Sequence, residues 1–416
     1  MSKPAPYELT DEEKHGVASI RERMGGKIPP DLDTDFNLRR WWHGWKGKLD
    51  EIEPRFTLYI DNRKAAGLDG DTADFEKKFL DFRTKHPMME FLDCTDVSKM
   101  RVANPQNNTL MFFERLGNVD LNRLMSECMT MQTYSLNCIY NSEALLRWIL
   151  RHEKETGHPS GLTLVLDLEG VSLSEYLNPH SPWNRANALG AQLYQELFCE
   201  LMAHMVIYKP PKIFQILWGL FKHLMNENTQ MKMAMVGSAE ELHKLIPSEV
   251  LPPALGGTLK VGKDDDVNDH HTCMRPARDI SPADLWEVGA VWKQLNIQNV
   301  PSWEEEYLKP KAKFTLSRLA KAGDALAWQF KVNGEVKFAI YYDKDDNVSK
   351  NTTTMVYPRL PTTKSHLPDE GMVFCEKTGL YTLEFHNTSS VLFSVKLKHI
   401  VVVAPGSNFN ENLQHF

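Results

Sequence analysis

Between about residues 88 and 262, the sequence alternates short apolar runs with longer stretches of helical periodicity, and this alternation limits the possible folds more than any other feature. The apolar runs cover residues 110–113, 162–166, 205–208 and 233–236. The helical stretches between them include residues 142–155 and 184–202. Apolar strands that alternate with helices predict a mostly parallel sheet covered by helices.

The region before this alternation is predicted to be helical. Thr10 and Glu13 have the spacing of a capping box, in which two groups satisfy the orphan N–H donors of a helix start. Phe75, Phe79 and Phe82 then recur at helical spacing. We therefore expect an N-terminal helical region over residues 1–85.

Beyond about residue 310, the apolar positions recur at every second residue, as in strands. Asn333-Gly334 separates two such runs, and this dipeptide favours the type I′ turn of a β-hairpin. We predict a β-sandwich over residues 301–405 and a polar linker over residues 263–300. The predicted fold class is therefore multidomain, with an α/β domain over residues 88–262 between a helical region and an all-β domain.

The composition argues against several classes of protein. The chain has 48 Lys and Arg against 55 Asp and Glu, a net charge of −7, which disfavours an extended nucleic-acid surface. The six cysteines form no CxxC pair, so neither a zinc ribbon nor a dense disulfide scaffold is expected. The sequence shows neither a secretory signal nor an apolar run of about 20 residues, and we expect a cytoplasmic protein.

Motifs of common enzymes are missing from the sequence, which has no GxSxG, GxxxxGK[ST] or HExxH pattern. His270, His271 and Cys273 lie in the predicted linker, and adjacent histidines do not share one helical face, so no metal site is predicted. Asp167 and Glu169 have no evident acid or base partner. Asp167 is expected to fix the end of a strand.

The segment after residue 210 has an unusually wide apolar face, which includes the side chains of Phe214, Leu217, Trp218 and Phe221. One interpretation is an ordinary core helix. The other is a movable gate helix over residues 211–226 that covers an apolar ligand cavity and dips into the headgroup layer of a membrane.

Three polar residues lie close to predicted strand ends. Glu200 precedes the third apolar run, and Thr229 and Lys232 precede the fourth. A lysine beside a hydroxyl suits a phosphate, because the ammonium supplies charge and the hydroxyl a directed hydrogen bond. The alternative is an exposed salt bridge between Glu200 and Lys232.

Four motifs occur in order along the chain. They are a basic, aromatic strip at residues 35–46, a strand ending in Asp-x-x-Gly at 164–170, a Leu-Pro…Gly-Gly segment at 251–257, and Gly-x-Tyr-x-Leu-x-Phe-x-Asn-Thr at 379–388. Together they resemble the CRAL-TRIO family of lipid-binding and lipid-transfer proteins, followed by a GOLD (Golgi dynamics) domain. The resemblance implies an α/β lipid-binding domain after the helical region, and a GOLD sandwich at the C-terminus.

The resemblance also implies a headgroup site. Phosphatidylinositol-transfer members of the family hold the inositol phosphate with a glutamate, a Thr-x-x-Lys and a basic pair. Glu200 takes the place of the glutamate, Thr229 and Lys232 preserve the Thr-x-x-Lys, and Lys46 keeps the second basic residue, while Trp45 stands where the first is expected.

The lipid cavity implied by the resemblance is lined by Phe112, Tyr140, Leu162 and Leu164 and closed by the gate helix. Phe112, Leu162 and Leu164 replace hydroxyl residues with which such members hold choline lipids. Apolar replacements leave a buried phosphate without donors, so a tocopherol-like, retinoid or sterol-precursor ligand is an open alternative.

The resemblance therefore implies a cytosolic, non-enzymatic protein that binds a hydrophobic lipid, phosphatidylinositol favoured, and transfers or presents it. The expected partners are a phospholipid or other hydrophobic ligand, a transient membrane surface and a protein that binds the GOLD domain, with no nucleic acid and no cofactor beyond the bound lipid. Two other classes stay open: a lipid-sensing scaffold in Golgi trafficking or signalling, and a hydrolase acting in the same cavity.

Overall fold

The computed structural model describes residues 7–86, 88, 102–116, 119–171, 178–212, 214, 232–259, 279–344, 353–388 and 393–410. Its helices are α1 (Asp11–Met24), α2 (Asp35–Gly44), α3 (Leu49–Ala65), α4 (Thr72–Lys85), α5 (Leu121–Arg123), α6 (Met131–Thr156), α7 (Pro182–Leu197), α8 (Ala239–Leu245) and α9 (Ala290–Gln294). Its strands are β1 (Ala103–Asn104), β2 (Thr109–Arg115), β3 (Leu162–Asp167), β4 (Met202–Tyr208), β5 (Met233–Val236), β6 (Glu304–Leu308), β7 (Lys313–Ala320), β8 (Asp324–Val332), β9 (Val336–Asp343), β10 (Thr354–Thr362), β11 (Asp369–Phe374), β12 (Gly379–His386) and β13 (Val395–Pro405).

The capping box and the phenylalanine spacing predicted for the N-terminal region are both present in the structure. The Thr10 hydroxyl accepts a hydrogen bond from the Glu13 N–H, and the Glu13 carboxylate accepts one from the Thr10 N–H, which confirms the capping box of α1. Phe79 and Phe82 are buried with Phe75 on one face of α4. Both stack on Tyr140 of α6, so the helical region packs directly onto the α/β region.

The α/β region contains a five-stranded sheet in the order β1-β2-β3-β4-β5. Strands β2 to β5 are parallel, as predicted, and β1 pairs antiparallel at the edge. At the end of β3, the buried Asp167 accepts hydrogen bonds from Arg115 Nε at 3.1 Å and from the Glu169 N–H at 3.0 Å. Asp167 therefore fixes a strand end, as expected.

The C-terminal strands form two antiparallel sheets, ordered β10-β9-β12-β7 and β11-β8-β13-β6; we call them the β-domain. Side chains of the two sheets share one core: Trp328 of β8 lies 5.5 Å from Phe338 of β9, and Phe330 of β8 lies 5.0 Å from Phe385 of β12, between ring centroids. The predicted sandwich is thus confirmed.

The hairpin predicted at Asn333-Gly334 is wrong. Strands β8 and β9 lie in different sheets, and neither residue of the connection has a positive φ. Asn333 instead extends the pairing of β8 with β13, because its N–H donates to Lys396 O at 3.2 Å and its Oδ1 accepts from the Lys396 N–H at 2.7 Å. A Cβ at Gly334 would lie 2.9 Å from Val395 Cγ2. Glycine is therefore favoured at this position because the space beside it is too small for a side chain.

Part of the range predicted as a linker packs onto the β-domain. Val291 and Trp292 of α9 and the following Leu295 are buried in one cluster with Ala327 of β8 and Ile400 of β13. These apolar residues lie close together near the end of the predicted linker. The range as a whole is polar in composition, which hides this local signal. Residues 260–278, which include the acidic start of the range, lie outside the described residues.

The β-domain is held to the first turn of α6. Asp369 of β11 is buried, and its Oδ1 accepts a hydrogen bond from the Gln132 N–H at 2.8 Å. The Ser135 hydroxyl donates to Pro361 O of β10 at 2.9 Å. A carboxylate at a helix start satisfies an orphan N–H and favours the helix dipole. Burial raises the pKa of Asp369 to about 6, although hydrogen bonds from the Thr362 hydroxyl and the Gln132 N–H lower it.

This contact makes stability depend on pH. A carboxyl whose pKa is higher in the folded protein than in the unfolded chain takes up a proton on folding, so stability falls as pH rises from about 4 to about 6 and then levels off. In Asp369→Asn this contribution is absent. When the pH is raised from 4.5 to 7, the free energy of unfolding of wild type should fall by about 2 kcal/mol more than that of the variant. Urea unfolding of both proteins at the two pH values measures this. A difference that is independent of pH would contradict the assignment.

Candidate functional site

One face of the parallel sheet carries an apolar row that is not fully buried. The pairing places Phe112 of β2 beside Leu164 of β3, Leu164 beside Met205 of β4, and Met205 beside Met233 of β5. Leu164, Met205 and Met233 are half-buried, and Leu162 lies two residues before Leu164 on the same face. The row forms a continuous apolar strip across four strands.

The opposite face of the same strands is closed. Phe113, Val165 and Val206 alternate with the apolar row and are at most 4% exposed. They belong to the core that also contains Ile149 of α6. The two faces therefore differ in burial, although both are apolar: three residues of the row are half-buried, whereas these residues of the opposite face are buried.

A charged pair lies at the amino ends of the neighbouring strands. Lys232 Nζ, just before β5, lies 2.6 Å from Glu200 Oε2, just before β4, and the two side chains are 28% and 39% exposed. Burial and then the nearby Lys232 ammonium lower the pKa of His204 below its ordinary value. The structure thus brings Glu200 and Lys232 together, whereas Thr229 lies outside the described residues.

The end of α2 packs tightly against this pair. A Cβ at Gly44 would lie 2.8 Å from Cys199 Cβ and 3.5 Å from Glu200 Cγ, so only glycine allows this approach. Lys46 follows two residues later, with a left-handed φ of 51°. Burial, followed by the charge of Glu200, raises the pKa of Cys199 to about 12, so its thiol stays protonated. Lys46 therefore follows the end of α2 at the point where α2 packs against the segment that contains Glu200.

Sequence reasoning missed a basic group in this area. The Arg55 guanidinium of α3 lies 3.9 Å from the ring centroid of Trp45, the residue at the position where the first basic residue was expected. A cation over an indole face is attracted by the ring quadrupole. Because the contact depends on how α2 packs against α3, no local sequence signal identifies it.

Tyr140 is placed apart from the other predicted cavity residues. Its ring stacks on Phe82 of α4 with centroids 4.5 Å apart and planes 7° apart. Its hydroxyl donates to Ala66 O at 3.3 Å. The described contacts therefore join Tyr140 to the N-terminal helical region, whereas Phe112, Leu162 and Leu164 share the sheet face.

The gate helix falls almost wholly outside the described residues. Phe214 is described and half-buried, whereas Leu217, Trp218 and Phe221 are not among the described residues. Within the described ranges, no group of three or more His, Cys, Asp or Glu side chains could hold a metal ion. A search of the same ranges found no helix long and apolar enough to cross a membrane.

Known proteins resemble this chain in its central region and along most of its length. Residues 106–257 match the CRAL/TRIO domain family. Two CRAL-TRIO domain-containing proteins of Caenorhabditis elegans are similar along nearly the whole chain: one is 26% identical, covering 95% of this chain and 97% of its own, and the other is 21% identical, covering 96% and 92%. The crystal structure of Sfh5 shares 14% identity over 57% of this chain and 85% of its own, with a TM-score of 0.33.

The family match and the parallel sheet together define the class of the central region. Residues 106–257 form a CRAL-TRIO domain, within the range that the strand and helix pattern predicts. Domains of this class bind or transfer lipids, and the half-buried apolar sheet face is consistent with a hydrophobic ligand.

Gly44→Ala tests the close approach of α2 to the charged pair. An alanine that met no neighbour would favour the helix by about 0.5–1 kcal/mol. Because its Cβ would press on Cys199, we expect instead a destabilisation of about 1–3 kcal/mol. In a Cys199→Gly background the same substitution should become neutral or stabilising, as measured by urea unfolding of all four proteins. Equal effects in both backgrounds would show that the approach is looser than described.

Proposed function

We propose that the chain binds a membrane lipid, phosphatidylinositol favoured, and transfers it between membranes or presents it to another factor. The observation that carries this proposal is the apolar row that continues from the buried Phe112 to the half-buried Leu164, Met205 and Met233. A lipid leaving a bilayer loses about 0.8 kcal/mol per CH₂ unless equal apolar surface replaces it. Methionine side chains adapt to flexible ligands because they are unbranched and polarizable.

Glu200, Thr229, Lys232 and Lys46 form the headgroup site in this proposal. The Lys232 ammonium binds the lipid phosphate as a point charge, and the Glu200 carboxylate accepts hydrogen bonds from inositol hydroxyls. Because the pair is partly exposed, replacing its ion pair with a phosphate contact has a small energetic cost. Arg55 adds positive charge next to Trp45.

The β-domain is proposed to be a GOLD domain that binds a partner protein or a membrane. Supporting this are two four-stranded antiparallel sheets and the inward alternation of Tyr381, Leu383 and Phe385. The order of helical region, CRAL-TRIO domain and GOLD domain is similar to that of supernatant protein factor. Cytoplasmic location with transient membrane contact is part of the same proposal.

A vesicle transfer assay tests the headgroup site. Lys232→Ala should slow transfer of labelled phosphatidylinositol about tenfold, since a hydrogen bond to a charged group contributes about 1.5 kcal/mol. The matched control is Lys209→Ala. Lys209 forms a pair of the same type with Glu169 at 2.8 Å, at the opposite end of the strands, and its removal should leave transfer unchanged. Both variants break partly exposed pairs, so both should keep the wild-type melting temperature to within a few degrees.

The same assay separates the alternatives. Equal phosphatidylinositol transfer by Lys232→Ala and wild type would contradict the headgroup site. Failure of wild type itself to transfer phosphatidylinositol would favour a phosphate-free ligand, such as a tocopherol-like or retinoid molecule; the present pairing of Glu200 with Lys232 leaves both charges satisfied without a phosphate. Lipid binding without transfer would favour the scaffold.

His204 provides an independent readout of headgroup occupancy. Burial and, after it, the Lys232 ammonium lower the pKa of His204, so a phosphate that neutralises Lys232 should raise that pKa. We expect an upward shift on loading with phosphatidylinositol, measured by NMR titration, and no such shift in Lys232→Ala. His152, whose pKa burial also lowers, serves as the internal control and should not move. A His204 titration that is identical with and without the lipid would argue against a phosphate at Lys232.

A further inference from the structure

A cavity lies where the helical regions meet the β-domain. It has a volume of about 230 Å³ and is walled by α4, by the first turns of α6, and by strands β8, β10 and β11. Its lining includes Phe82, Leu136 and Tyr140 on the helical side and Trp328, Tyr357 and Gly371 on the β side. The cavity is separate from the apolar row on the parallel sheet, whose residues do not line it.

The volume limits what this cavity can hold. A cavity of about 150 Å³ accepts benzene, whereas pockets for drug-sized molecules begin at about 300 Å³. A space of about 230 Å³ therefore suits a molecule of one or two rings. A phospholipid with its acyl chains is far too large.

The wall of this space contains a buried donor. Trp328 is 1% exposed, and its Nε1 finds no hydrogen-bond partner among the described residues. A Cβ at Gly371 would lie 2.7 Å from Cζ2 and 3.1 Å from Cε2 of the indole, so the ring edge next to Nε1 is turned towards a glycine that lines the cavity. A buried unpaired donor lowers stability, and an acceptor on a ligand would remove that loss.

The walls favour a planar ligand without charge. Phe82 and Tyr140 form one stacked pair, with centroids 4.5 Å apart, and Tyr357 meets Trp328 edge-on at 4.9 Å. The lysines of the lining are already paired, Lys78 with Asp74 and Lys85 with Asp81. Glu370 is a buried acid of the same lining and would repel an anion.

We propose that this cavity is a binding site for an uncharged one- or two-ring molecule whose hydrogen-bond acceptor pairs with Trp328 Nε1. Because helices and strands of both sides wall the site, the bound molecule bridges the β-domain and the helical regions. Its occupancy therefore strengthens the docking of the β-domain on α6.

Fluorine NMR on the full chain tests this site with a set of uncharged probes, para-fluorobenzamide and a fluorinated two-ring lactam, beside the anionic para-fluorobenzoate. We expect the uncharged probes to bind and raise the melting temperature, and the benzoate not to bind. Trp328→Phe removes the donor and keeps an aromatic ring, and it should weaken binding roughly two- to tenfold, the range for one hydrogen bond. Leu136→Trp, which fills the cavity, should abolish binding.

Trp292→Phe is the matched control. Trp292 is also buried, with an Nε1 that has no partner within the described ranges, but it does not line this cavity. Its substitution should leave probe affinity unchanged. Failure of every uncharged probe to bind, binding of the benzoate alone, or equal affinity in Trp328→Phe and wild type would each overturn the proposal and leave a cavity that holds only water.

Discussion

A parallel sheet must be covered on both faces, and much of this structure follows from how the two faces of β2–β5 are covered. One face is closed by side chains that pack with α6, with Val165 fully buried. The other presents Leu164, Met205 and Met233 as a half-buried apolar strip. Apolar surface that stays partly exposed favours association with another apolar body. In the proposed function a lipid acyl chain is that body, which links the sheet to the function.

The charged pair sits at the amino ends of the same strands, so one framework positions both parts of the proposed ligand site. Glu200 and Lys232 precede β4 and β5, and the strand register brings their side chains to 2.6 Å. The close approach of Gly44 fixes α2 beside them. An apolar strip with a compact polar group at its end is the arrangement that an amphipathic lipid requires.

Much of the fold could be predicted from the sequence because the relevant signals are local. The second glycine of Gly256-Gly257 is required because a Cβ at Gly257 would lie 2.0 Å from Leu251 O. Likewise, Asn387 is buried and donates to Leu308 O at 3.0 Å, which explains its place at the end of the C-terminal motif. The Asn333-Gly334 prediction failed because a dipeptide does not reveal which strand lies opposite.

The parts of the site that could not be predicted depend on contacts between distant segments. Arg55 reaches Trp45 only through the packing of α3 on α2. Asp369 meets the Gln132 N–H across 237 positions of the chain. In both cases the neighbouring residues in the sequence give no sign of the contact, because it forms only when distant segments pack together.

Identification of the lipids that remain bound to the protein after gentle purification from cells tests the central claim most directly. Native mass spectrometry of the intact chain would give the stoichiometry, and mass spectrometry of the extracted lipid would give its identity. The account predicts one phosphatidylinositol per chain. An apolar lipid without phosphate would keep the sheet face as the binding surface and remove the headgroup site. A protein that carries no lipid, and takes up none from vesicles, would contradict the account.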